Sequence, residues 1–193
     1  MPNQLNGLRA QVTLCTKCEL SKSRTNAVPG KGSIKSEILF IGEAPGRNED
    51  LKGEPFVGAA GNILSEALAY GGLSRDDVFI TNVVKCRPPN NRLPLVQEID
   101  LCHQYLEKEL EIIKPKIICI LGNTAYNSIL SGDSITKNRG KIIKKNNQLY
   151  FLTIHPAAAI YNPSLKQVLK EDIKTLKESL DKLKKGNDAE TFS

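Results

Sequence analysis

Three short apolar runs constrain this chain more than any other feature. Ile38-Leu39-Phe40-Ile41, Val78 to Val84 and Lys116 to Leu121 are nearly continuous in apolar, largely β-branched side chains rather than alternating with polar ones. A strand with that pattern has both faces covered, as in a parallel sheet with helices packed on either side. Between the runs, apolar residues recur at spacings of three and four. Ile63, Leu64, Ala67 and Leu68 predict a helix over roughly Ala60 to Tyr70, stopped by Gly71-Gly72. Ile99, Leu106, Leu110 and Ile113 predict a longer one from about Leu95 to Ile113, and a shorter helix follows the third strand as far as Leu130. Lys141 to Lys144 against Leu149 to Ile154 reads as a hairpin turning at Asn146-Asn147. In the last helix Leu165, Val168, Leu169, Ile173, Leu176, Leu180 and Leu183 share one face; Asn162 is placed to cap it, Pro163 suits its first turn and Gly186 lies past its end. Strands alternating with helices predict an α/β sandwich with parallel strands. A chain of 193 residues fits a single domain, expected over residues 1–186, with 187–193 as a disordered tail.

Five cysteines, an odd number, argue against a disulfide framework in a reducing compartment. The N-terminus carries Leu5, Leu8 and Val12 at helical spacing and runs into Cys15-Thr16-Lys17-Cys18, then a polar stretch read as loop through Ser33. Two cysteines separated by two residues let one tight turn aim both sulfurs at one centre. Cys86, in a loop, and Cys102, on the long helix, bring the set to four, enough for a tetrahedral zinc or a four-iron, four-sulfur cluster; spacing does not separate the two. Cys119 sits inside Ile-Ile-Cys-Ile-Leu and reads as a buried, inert thiol. His103 adjoins Cys102, but neighbouring helical side chains diverge by about 100°, so it is not expected to share that centre.

The unusual segments all follow strands: Gly42 to Asp50, Asn82 to Arg92, and His155 to Pro163. In open α/β sheets ligands bind beyond the carboxyl ends of strands, so convergence of these loops predicts the site. The first loop is neither a P-loop nor a dinucleotide fingerprint, since no Gly-Lys-Ser/Thr or G-x-G-x-x-G occurs in it; its Gly and Pro content suggests a rigid turn presenting backbone N–H groups. A net charge of +6 permits a nucleic-acid partner, while the absence of tryptophan leaves no extended aromatic platform for single strands. No apolar run reaches membrane-span length and the first residues lack a signal-peptide layout, so an intracellular, membrane-free protein is expected.

Taken together, Gly-Glu-Ala-Pro-Gly-x-x-Glu-Asp from Gly42, Gly-x-Pro-Phe-Val-Gly from Gly53, Thr-Asn-Val-Val-Lys-Cys-Arg-Pro-Pro from Thr81, Leu-Gly-Asn-Thr-Ala from Leu121 and His-Pro-Ala-Ala from His155 resemble the family-four uracil-DNA glycosylases, the iron–sulfur group of archaea and thermophilic bacteria. The resemblance covers Cys15 to about Lys177. It implies an α/β/α sandwich around a four-stranded parallel sheet and one 4Fe-4S cluster, structural in role, on Cys15, Cys18, Cys86 and Cys102. It implies that Phe56 stacks on a flipped uracil, that Asn82 reads its O4 and N3 edge, that Glu49 stands near C5 where thymine carries a methyl, and that the Ala44 amide with His155 binds O2. Glu43 would orient water or stabilise the cationic sugar. Uracil-containing DNA, single- or double-stranded, is the implied partner of a monomer; any contact with a replication clamp is left unknown. Two departures stand out. After His-Pro-Ala-Ala, where relatives commonly carry leucine and arginine, this chain has Ala159-Ile160-Tyr161-Asn162, making Ile160 or Tyr161 the wedge into DNA; and Arg47-Asn48 replaces a more acidic pair. Arg47, Arg87, Arg92, Arg139 and Lys141 are the candidates for phosphate contact. A non-catalytic iron–sulfur nucleic-acid-binding module on the same fold is the alternative. It does not account for Phe56, Asn82 and His155 together.

Overall fold

Side chains with nowhere to go but inward decide the architecture. In the computed structural model, which describes residues 2–186, the chain runs through α1 (Pro2–Thr13), α2 (Leu20–Ser23), β1 (Lys31–Gly32), β2 (Ile38–Gly42), α3 (Arg47–Lys52), α4 (Ala59–Tyr70), β3 (Val78–Asn82), a 3₁₀ turn (Pro89–Asn91) and α5 (Val96–Ile113). It continues through β4 (Ile117–Leu121), α6 (Asn123–Leu130), α7 (Ile135–Asn138), β5 (Ile142–Lys145), β6 (Gln148–Thr153), α8 (Ala158–Tyr161) and α9 (Leu165–Lys184). Every residue of β2, β3 and β4 is buried, as continuous apolar strands require. The tail expected at 187–193 lies outside the described residues.

The sheet has six strands in the order β1-β3-β2-β4-β6-β5. Its centre is the implied four-stranded parallel sheet, β3-β2-β4-β6. Antiparallel β1 and β5 extend it at the two edges. The pleat sorts side chains by alternation. Leu39, Ile41, Phe79, Ile118 and Ile120 face a layer that includes Leu5, Leu8 and Val12 of α1 and Leu106 and Ile113 of α5. Ile38, Phe40, Val78, Ile80, Ile117 and Cys119 face Leu64 and Leu68 of α4 and Leu169, Ile173 and Leu176 of α9. Fully burying one such side chain stabilises the fold by about 1.5–3 kcal/mol, so these two layers dominate its energetics.

Local signals mostly act where the sequence suggests. Asn146 and Asn147 take positive φ, 49° and 65°, matching the two-residue hairpin turn. Asn162 is extended, its Oδ1 accepts from the Ser164 amide at 3.3 Å and its carbonyl accepts from the Leu165 amide, so it closes a turn ahead of α9 rather than capping it as expected; the N-cap is Ser164, without a side-chain cap, and Pro163 falls before the helix. Three further expectations are corrected. The loop through Ser33 includes α2 and strand β1, and the loop after β2 folds into α3 from Arg47. The second run, Val78 to Val84, ends as a strand at Asn82, because the Val83 and Val84 amides turn to the Gly42 and Glu43 carbonyls. Among the described residues no helix is long and apolar enough to cross a membrane.

Candidate active site

All four parallel strands end at one edge of the sheet, and each delivers site residues there. Gly42, the last residue of β2, is paired with Asn82, the last of β3. β4 leads into Gly122, and β6 into His155 two residues beyond Thr153. The chain leaves β2 for β3 on one side and then crosses to β4 on the other, so the edge beside β2 is the switch point where α/β sheets leave a crevice.

Absent side chains set the floor of this crevice. A Cβ on Gly42 would lie 2.5 Å from Asn82 Oδ1 and 2.6 Å from Phe56 Cζ, so both groups crowd over that backbone. A Cβ on Gly122 would meet His155 Cβ at 2.8 Å. The Phe56 and His155 rings stand 5.7 Å apart between centroids. Asn82 is 1% exposed and its Oδ1 is buried without a hydrogen-bond partner, an acceptor whose desolvation is uncompensated within the protein. Phe56 has φ 53°, a left-handed backbone that costs a non-glycine residue on the order of 1–3 kcal/mol and tends to persist at functional sites.

His155 is half-buried, and its surroundings depress its pKa to about 4: burial disfavours the imidazolium, and the charge of Glu49 opposes that only in part. Its Nδ1 accepts from the Ala157 amide at 3.2 Å. The neutral ring therefore carries its hydrogen on Nε2 and is a donor there. Glu49 itself is tied down, with Oε1 accepting from the Val57 and Gly58 amides, each at 2.8 Å. Glu43 accepts a hydrogen bond from Thr124 Oγ1 in the first turn of α6. The Ala44 amide, followed by Pro45, has no hydrogen-bond partner among the described residues and stays available as a donor. Sequence reasoning missed Thr124 as a positioning group, although Leu-Gly-Asn-Thr-Ala was already in view.

The four expected cysteines come together. Cys15, Cys18, Cys86 and Cys102 line one cavity with Arg24, Lys85 and Tyr105, whereas Cys119 is fully buried in the sheet far from them in the packing, on the opposite face. Arg24 Nη1 donates to Cys86 Sγ at 2.9 Å, and the Lys85 amide donates to Cys102 Sγ at 3.2 Å. Such donors stabilise thiolate charge. Burial nonetheless raises both thiols, Cys102 to about 11, so these two sulfurs are neutral thiols unless a bound group holds them as thiolates. Among the described residues no three ligand side chains are gathered as they would be around a single metal ion. His103 points elsewhere, pairing with Glu107 at 3.4 Å. Arg24 carried no motif that could have singled it out.

Lys85 also links this cavity to the crevice. Its buried ammonium donates to the Asn82 carbonyl at 2.8 Å, to Thr81 Oγ1 at 2.5 Å and to Glu109 Oε2 at 2.7 Å, while Glu109 Oε1 accepts from the Gly30 amide. Every donor of the ammonium is used, and breaking such a buried pair from one side costs about 3–5 kcal/mol.

The basic candidates divide. Arg92 makes two hydrogen bonds to Glu98, at 2.8 and 2.7 Å, and Arg139 two to Asp172, at 3.0 and 2.6 Å. Both guanidinium groups are held by carboxylates that are themselves buried, so the fold uses them first. Among the described residues Arg87 reaches only Asn91 Oδ1, at 2.8 Å, Lys141 reaches only the Lys137 carbonyl, and exposed Arg47 has no ion pair. Ile160 and Tyr161 on α8 are 45% and 89% exposed, two apolar groups presented to solvent just beyond His155.

Comparison with known proteins bears on this geometry. The model of the uracil DNA glycosylase superfamily matches residues 29–182. A type-4 uracil-DNA glycosylase of Sulfurisphaera tokodaii is 50% identical over 186 residues, covering 91% of this chain and 84% of that protein. One from Saccharolobus solfataricus is 50% identical over 188 residues, 92% of this chain and 87% of its own length. One from Archaeoglobus fulgidus is 46% identical over 183 residues, 90% and 92% respectively.

Proposed function

This chain belongs to the uracil DNA glycosylase superfamily, among its type-4 members, and from that premise we propose how its crevice works: it receives a uracil base turned out of DNA and promotes hydrolysis of the N-glycosidic bond, leaving an abasic site. The observation that carries the reading is Asn82 Oδ1, a buried acceptor with no partner, over the same glycine as Phe56, whose ring in turn stands 5.7 Å from that of His155. An amide in this orientation accepts from uracil N3–H and donates to O4, while cytosine offers an acceptor and a donor in the reverse order. Phe56 supplies a ring face on which a flipped base stacks.

Cleavage in the dissociative sense leaves a cationic sugar and a uracil anion with much of its charge on O2. Neutral His155, donating from Nε2, and the free Ala44 amide are the two donors we assign to that oxygen. Losing one donor of this type typically costs about 2.7–4 kcal/mol in the barrier. Glu43, steadied by Thr124, is suited to orient the attacking water or to face the cationic sugar. Glu49 stands close enough to His155 to act on it electrostatically, and its latched carboxylate is the group we place against C5 to exclude a methyl. Exposed Ile160 and Tyr161 form the wedge that fills the space a flipped nucleotide leaves, with Arg47 and Arg87 on phosphates.

Cys15, Cys18, Cys86 and Cys102 are the ligands we assign to one 4Fe-4S cluster. The shared cavity and the donors aimed at two of its sulfurs support a thiolate-bound centre, and the resemblance to the iron–sulfur glycosylases selects a cluster over zinc. Its contribution when bound is a crosslink of the N-terminal turn, the loop after β3 and α5; hydrolysis of an N-glycosidic bond transfers no net electron. We take residues 1–186 as one catalytic domain acting as a monomer wherever the cell keeps its DNA. Incubation with an oligonucleotide carrying one uracil, followed by alkaline cleavage, tests the function: strand scission only at the uracil is expected, and none at all would refute it. Asn82→Asp should lose uracil excision and gain some on cytosine, whereas normal uracil excision by that variant would remove Asn82 from base reading.

A further inference from the structure

The left-handed backbone of Phe56 is held from two directions by residues that no step above uses. Arg75, in the turn between α4 and β3, is half-buried. Its Nη1 donates to the Phe56 carbonyl at 3.0 Å and its Nη2 to the Pro55 carbonyl at 2.9 Å, with Ser65 Oγ 3.4 Å from Nη1. Gly61, in the first turn of α4, packs against the same peptide: a Cβ there would lie 1.9 Å from the Phe56 oxygen and 2.2 Å from its carbonyl carbon. The φ of Gly61 is not positive, so its lack of a side chain serves space and not conformation.

We propose that Arg75 is a positioning residue that fixes the Phe56 ring by bridging the Pro55 and Phe56 carbonyls against the bare backbone of Gly61. The inference rests on the reading of Phe56 as the surface on which the base stacks. A strained aromatic residue keeps its conformation only where its surroundings over-determine it, and few groups can do that to two successive carbonyls. The rigid fork of a guanidinium presents parallel donors, whereas a lysine offers a single mobile point charge. If the fork is removed, the Phe56 peptide is free to relax out of the left-handed region. The ring then leaves its place over Gly42, beside Asn82 Oδ1 and 5.7 Å from His155.

A double-mutant cycle separates positioning from general support. Uracil cleavage is measured in single turnover at saturating enzyme for the unmodified chain, Arg75→Met, Phe56→Ala and the double variant, with thermal melting and affinity for uracil-free DNA alongside. Arg75→Met is expected to slow cleavage by roughly 10- to 10²-fold where Phe56 is present and by less than about twofold in the Phe56→Ala background, without changing affinity for uracil-free DNA. Arg75→Lys should recover little. Gly61→Ala should reproduce the same pattern although alanine is the better helix former, and it carries the test if Arg75→Met fails to fold. Equal losses in both backgrounds, or normal cleavage by folded Arg75→Met or Gly61→Ala, would overturn the proposal. Normal cleavage by Phe56→Ala itself would instead refute the stacking role on which it rests.

Discussion

Replacing Gly42 with alanine adds one methyl group at the point where the base-reading residues meet. Gly42 has no positive φ, so alanine imposes no backbone strain there; the consequence is purely steric. Its Cβ would stand 2.5 Å from Asn82 Oδ1 and 2.6 Å from Phe56 Cζ, closer than such contacts allow. The strand cannot retreat, because β2 is fully buried between β3 and β4, so the amide, the ring or both must move. A lost bidentate base contact is worth about 1–3 kcal/mol and a lost base–aromatic stack about 1–3 kcal/mol. At about 1.4 kcal/mol per tenfold, disturbing the two together slows uracil excision by roughly 10²-fold or more. Overpacking at a strand end costs about 1–3 kcal/mol of stability, a modest drop in Tm that leaves the chain folded at the assay temperature. The assay is single-turnover cleavage of a uracil–guanine duplex at saturating enzyme, with circular dichroism melting as the control. A folded Gly42→Ala protein that excises uracil within about threefold of the normal rate would show that Asn82 and Phe56 do not read the base from this crevice.

His155→Ala should slow single-turnover cleavage by roughly 10²–10³-fold with little change in DNA affinity, since its bond to the anion forms mainly in the transition state. With a folded pKa of about 4, the unmodified enzyme should show no inflection in rate near 6.5, and a clear one there would contradict a neutral donor. Because the unfolded chain binds a proton at His155 that the folded chain refuses between about 6.5 and 4, stability should fall as pH drops through that window and stop falling below it; His155→Ala should flatten this slope in denaturant melts. Cys86→Ser should lower iron content and the absorption near about 400 nm, whereas Cys119→Ser should leave both unchanged; equal loss in both would mean that the ligand set is wrong.

Much of the site was legible because its chemistry is written in rare residues at fixed places in the chain. A buried parallel strand needs an unbroken apolar run, and Ile38–Ile41 and Ile117–Leu121 have no other way to be satisfied. A C-x-x-C turn, an asparagine closing a strand and a histidine before proline stand out without a partner in view. What stayed hidden depends on groups whose identity is ordinary and whose meaning is positional. Arg75 and Arg24 look like any surface arginine until one is seen astride two carbonyls and the other against a sulfur. Arg92 and Arg139 had the composition of phosphate contacts, and only the fold shows that Glu98 and Asp172 already hold them.

The same division runs through the whole molecule. Periodicity and turn chemistry are local, so the buried strands β2 and β4, the long helices and the Asn146-Asn147 hairpin were determined by sequence alone, whereas β1 and the end of β3 were not. Strand order, the antiparallel edge that β1 makes with β3 and the pairing of Gly42 with Asn82 depend on contacts between residues far apart in the chain, which no local pattern encodes. The pKa of His155 is the clearest case: the residue type sets an ordinary value of 6.5, and burial in the folded crevice lowers it to about 4. Desolvation belongs to no residue by itself; only the tertiary structure removes the water.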